Sequence, residues 1–103
     1  MDILKITNKD VANGCLPIGS DFCKKVGFTN DKFNGYLWKE GNVITLSLVY
    51  SIYEGKGNFL NVITNIKELG YDMKAYDCSQ RMYAILTKFG FVGNQDIMTY
   101  KNN

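Results

Sequence analysis

The residues with the most chemical promise in this chain are consecutive. Glu54-Gly55-Lys56-Gly57-Asn58-Phe59 joins an apolar stretch of period two to a stretch with helical spacing. A strand that turns through glycines into a helix leaves the first N–H groups of that helix without intrahelical partners. Those donors, with the positive end of the helix dipole, suit a phosphate. Lys56 adds a cation to the same turn. The chemistry to expect is anion binding, mostly by main chain, at Gly55, Lys56, Gly57 and Asn58. The two glycines also have a plainer reading, as the tight connection between strand and helix.

Other chemistries have little to draw on. The chain has no histidine, which removes His triads, His metal ligands and His general bases together. Cys15, Cys23 and Cys78 are odd in number and lack C-x-x-C spacing, so neither a disulfide framework nor a zinc cluster is expected. Reduced thiols, a cytoplasmic location and no bound metal are the matching expectation. A net charge of +2, with Lys24-Lys25 as the longest basic run, gives no footprint for nucleic acid. Met1–Ile6 carries Asp2 and Lys5 and leads into no long apolar run, so no secretory signal is expected. No segment has the length and apolarity to span a bilayer.

The elements that would position the glycine turn are legible on both sides of it. A chain of 103 residues with 46% hydrophobic and 14% aromatic content suits one domain over 1–103 with one core. Ile3, Leu4 and Ile6 fit a short strand or a helix start. Asn13-Gly14 reads as a turn. Ser20 caps a short helix through Lys25 that Gly27 ends, with Phe22 and Val26 inward. Residues 28 to 33 read as a loop. Tyr36–Lys39 and Val43–Tyr53 form a hairpin about Glu40-Gly41-Asn42. In the second strand Ile44, Leu46, Leu48, Tyr50 and Ile52 share one face, and Val43, Thr45, Ser47, Val49 and Ser51 the other. Phe59, Val62, Ile63, Ile66 and Leu69 then follow helical spacing, with Asn58 as N-cap and Gly70 as the stop. Met73 and Ala75 mark another strand. Ser79 or Asp77 caps a second helix whose Met82, Ile85, Leu86 and Phe89 share a face, and Gly90 closes it. Ile97–Tyr100 is a last strand, read as an exposed edge able to pair with a second copy. Trp38 and Phe33 are expected in the core. The fold class is α/β, with a mixed, mostly antiparallel sheet flanked by helices.

This order of elements, the glycine turn, and the ending Lys88-Phe89-Gly90-Phe91 resemble the GCN5-related N-acetyltransferase superfamily. The resemblance covers Val43 to Tyr100, and the region before it is abbreviated. It implies a GNAT-like sheet and acetyl-CoA as ligand, with the pyrophosphate on the main chain of Gly55 to Asn58. It implies that the strand end near Val49 and Tyr50 holds the pantetheine arm, in a gap where that strand leaves the next. The activity implied is acyl transfer to an amine on a small molecule or protein. The chain departs from the family pattern at Glu54, Phe59, Ser79 and Leu86, with Ser79 standing where an Asn is frequent. Glu54 stands where Arg or Gln is usual, and a carboxylate there repels a pyrophosphate by about 1 kcal/mol. Phe59 stands where a small residue is usual. Leu86 stands where the family often has a Tyr acting as general acid, so Tyr83 is the nearby phenol that could replace it. None of Glu40, Glu54 and Glu68 is well placed as a base. The alternative the same departures leave open is a short, degenerate GNAT-fold protein without cofactor chemistry. It would act through a protein partner or as a homo-oligomer, such as a bacteriophage component.

Overall fold

The computed structural model describes residues 12–52 and 57–102. The readings made for Ile3, Leu4, Ile6 and residues 53–56 lie outside it, Gly55 and Lys56 included.

Local sequence sets most of the elements. β1 (Gly14–Pro17) leads to α1 (Asp21–Val26), where the Ser20 hydroxyl accepts from the Cys23 N–H and Gly27 ends the helix at φ 86°. β2 (Phe33–Glu40) and β3 (Val43–Ser51) form a hairpin over Gly41-Asn42. α2 (Asn58–Glu68) is followed by β4 (Asp72–Tyr76). α3 (Gln80–Phe89) starts at Ser79, whose hydroxyl accepts from the Met82 N–H at 3.1 Å, and stops at Gly90. β5 (Val92–Gly93) and β6 (Ile97–Tyr100) finish the chain.

The six strands make one sheet in the order β1-β2-β3-β4-β6-β5. β3 and β4 are parallel and the other adjacent pairs antiparallel. The mixed, mostly antiparallel α/β sheet expected from the sequence is therefore present. The crossovers β3-α2-β4 and β4-α3-β5 move in the same direction across the sheet. Right-handed connections of that kind put both helices on one face. The Lys67 ammonium, 5.7 Å from the Phe89 ring centre, ties the end of α2 to the end of α3. α1 joins them, with Asn65 Nδ2 on α2 donating to the Val26 carbonyl at 2.9 Å.

The core lies between these helices and one sheet face. Leu16, Leu37, Ile44, Leu46, Met73, Ala75 and Met98 come from the strands. Phe22, Val26, Val62, Ile63, Ile66 and Leu86 come from the helices. Burying each large aliphatic or aromatic side chain contributes about 1.5–3 kcal/mol before the entropy of ordering it. The opposite sheet face carries Tyr36, Trp38, Tyr76 and Ile97, all exposed by 38 to 49%. The sheet is thus covered by helices on one side only among the described residues.

Several expectations need correction. Asn13-Gly14 is not a turn but the entry to β1, where the Asn13 Oδ1 accepts from both the Lys39 ammonium and the Gly41 N–H. Phe33 starts β2 rather than ending a loop. Ile97 is not on an edge, since β6 lies between β4 and the two-residue β5. Phe33 is core, but Trp38 is 42% exposed because its neighbours Leu37 and Lys39 take the inward positions. The strict period of two in β3 is interrupted. Tyr36 faces Leu48 and Trp38 faces Thr45, so Leu37 stands opposite two residues, Leu46 and Ser47. This β-bulge reverses the parity of the strand beyond it. Ile44 and Leu46 point to the core before the bulge, and Val49 packs against it after, while Tyr50 and Ile52 turn outward.

Candidate functional site

β3 and β4 run side by side for four residues only. Pairing begins at Val43–Asp72 and ends at Leu46–Ala75, at the bulge. β3 then continues to Ser51 paired with β2, while Tyr76 of β4 pairs with Ile97 of β6. Their pairing stops beside the bulge, and each strand goes on with a different partner.

The antiparallel register settles which main-chain groups face this gap. The Ile52 N–H donates to the Lys32 carbonyl at 2.8 Å. Residues along an antiparallel pair alternate between exchanging hydrogen bonds with the partner and facing away. Two residues back from Ile52, Tyr50 opposite Asn34 is therefore of the bonded type. Val49 opposite Gly35 turns its N–H and C=O to the other edge, toward the gap.

Parallel strands deliver their following helices at the same end of the sheet, so α2 and α3 both begin beside the gap. Between them lies a cavity of about 300 Å³. Its floor is Val49, Tyr50 and Ser51 of β3. One wall is Gly57, Asn58, Phe59 and Leu60 at the start of α2, and the other is Arg81, Met82 and Ile85 of α3. The volume is at the lower end of small-molecule sites, and the mixture of apolar walls with few polar groups is typical of them.

Gly57 rather than Asn58 is the N-cap of α2. Its left-handed φ of 77° needs no Cβ, and its carbonyl accepts the first helical hydrogen bond, from Asn61. A glycine cap has no side chain to satisfy the first-turn amides. Neither α2 nor α3 has an acidic residue in its first turn. The cavity mouth thus receives two positive helix ends without a carboxylate from either first turn.

The structure brings together Val49, Tyr50, Gly57 and Asn58 of the residues singled out by sequence. Phe59 lines the wall and also packs on the core, so its ring borders the cavity. Tyr83 is half-buried against the core and is not among the lining residues; among the described residues, Tyr50, 63% exposed, is the phenol that lines the cavity. Leu86 is fully buried, so position 86 faces the core of this chain. Sequence reasoning missed Ser51, Leu60, Arg81, Met82 and Ile85 as lining residues. Leu60 and Arg81 carry one usable signal, since each sits in the first turn of a helix that follows a strand.

The described lining has no carboxylate, imidazole or thiol, which leaves the Tyr50 hydroxyl as its one titratable neutral group. The thiols lie elsewhere: Cys23 and Cys78 are buried, and burial pushes both thiol pKa values up. No group of three His, Cys, Asp or Glu among the described residues could hold a metal ion. No helix among them is long and apolar enough to cross a membrane. No protein-family model, curated protein or solved structure matches this chain.

Proposed function

We propose that this chain binds an acyl-CoA thioester in the opening between β3 and β4, in a GNAT-like manner. The observation that carries the reading is the parting of these strands after Leu46 and Ala75 beside a cavity lined by the glycine-capped start of α2. In this reading the Val49 main chain pairs with the amides of the pantetheine arm, as a short surrogate strand would. The amides at Gly57 and Asn58 receive the pyrophosphate, together with those of Gly55 and Lys56, which precede them in the sequence. Val49 contributes through its backbone; the main chain of Tyr50 is engaged with β2, so Tyr50 contributes its ring. Acyl transfer to an amine at this site would rest on positioning the amine against the thioester, a large effect in its own right. Calorimetric titration with acetyl-CoA and CoA tests the reading. Saturable binding that a bulky residue at Gly57 weakens supports it, and no heat at millimolar ligand removes it.

A second reading is favoured by a different observation. The sheet face that carries no helix among the described residues exposes Trp38, Tyr36, Tyr76 and Ile97, and monomeric proteins expose large apolar groups together mainly where they bind partners. A non-catalytic interaction protein that keeps the fold would use this face. Light scattering of the wild type and of Trp38→Ser distinguishes self-association through it from a monomer.

A further inference from the structure

Arg81 is the only arginine in the chain. It lies in the first turn of α3, exposed, and it is the one charged side chain among the described residues lining the cavity. No hydrogen bond or ion pair joins its side chain to another described residue. A cation in the first turn opposes the helix dipole, so helix formation gives no reason for its presence there. The rest of that wall is Met82 and Ile85, facing Phe59 and Leu60 across the cavity. An apolar slot with one guanidinium that no described residue pairs is complementary to an amphiphile carrying an anion.

We infer that Arg81 is the side-chain anchor for a phosphate group of the ligand in this cavity. It closes on that group from α3 while the start of α2 holds the other side. Within the acyl-CoA reading, on which this inference rests, Arg81 supplies a positive side chain in place of the Arg or Gln for which this sequence has Glu54. Arginine suits the role because its planar fork meets two phosphate oxygens at once, which a lysine at the same site cannot do.

The experiment compares CoA, pantetheine and inorganic pyrophosphate on wild type, Arg81→Gln and Arg81→Lys. Calorimetry gives the affinities, and the single arginine Nε–H resonance reports contact at the site. Residue 81 is exposed, and equal melting temperatures of the three proteins verify that folding is unaffected. The expected result is a loss of about tenfold or more in CoA affinity for Arg81→Gln, the size of one charge-assisted contact. Arg81→Lys should fall between, and pantetheine, which has no phosphate, should bind all three within twofold. Pyrophosphate should shift the Nε–H resonance saturably in the wild type. CoA binding within twofold for Arg81→Gln overturns the role of Arg81 and leaves the acyl-CoA reading standing. A saturable pyrophosphate shift without CoA binding keeps the anion site and removes acyl-CoA as its ligand. Neither CoA binding nor a pyrophosphate shift removes both.

Discussion

Replacing Gly57 by Ala separates the backbone requirement at the head of α2 from every packing effect. Gly57 sits at φ 77° and ψ 5°, in the left-handed region. A Cβ built there meets no heavy atom of the described residues within 4 Å beyond its immediate neighbours in the chain. Steric conflict with other parts of the chain therefore adds nothing, and the cost is that of holding an L-residue in the left-handed region, about 1–2 kcal/mol. For a domain of this size that lowers Tm by roughly 4–16 °C. Asn tolerates this conformation far better, so Gly57→Asn should lose less than half as much. Thermal unfolding by circular dichroism reads the global change. Hydrogen exchange at the Asn61 amide, which donates to the Gly57 carbonyl at 3.0 Å, reads the local one. Because Gly57 also lines the cavity, the new methyl group should weaken ligand binding beyond the loss in stability. A Tm for Gly57→Ala within about 1 °C of wild type would refute the left-handed cap, given the cost just stated. Equal losses for Ala and Asn would refute it too, since the penalty would then not depend on φ.

Three further outcomes follow from the same geometry. Leu86→Tyr should destabilise the fold by about 1–3 kcal/mol in urea unfolding and confer no acyl transfer, because position 86 is buried in a filled core. Asn13→Ala strands the ammonium of Lys39, whose side chain is 2% exposed, and should cost about 1–3 kcal/mol; adding Lys39→Met should recover part of it in a double-mutant cycle. The Thr29 hydroxyl donates to the Asp31 carboxylate and holds its pKa below the ordinary value of 3.8. The stability this bond contributes is present above that ordinary value and is lost as pH falls through the depressed one. Thr29→Val should therefore raise the Asp31 pKa in a carboxyl NMR titration, and its stability deficit should close in acid.

Much of the fold is readable in the order of residues because it depends on neighbours within about four positions. Ser20 with Gly27, and Ser79 with Gly90, bracket α1 and α3 through bonds between a cap and its own helix. The Gly41-Asn42 turn and the core faces of α2 and α3 are equally local. β1 and β5 were not readable. Four and two residues long, they are strands only because β2 and β6 accept them as partners.

The site itself needed the assembled sheet. Alternation along Val43 to Tyr53 predicts one unbroken face, and no residue type within it announces that Leu37 will meet both Leu46 and Ser47. That mismatch exists only between two strands. It turns Val49 inward and Tyr50 outward, and it lies where β3 leaves β4. Arg81 likewise has no special context in its own helix; it gains one because two parallel strands release α2 and α3 at the same end of the sheet. Short-range hydrogen bonding and backbone preference belong to the chain as written. Register, strand separation and the meeting of distant helix ends arise only when strands choose partners, and the cavity is built from those three.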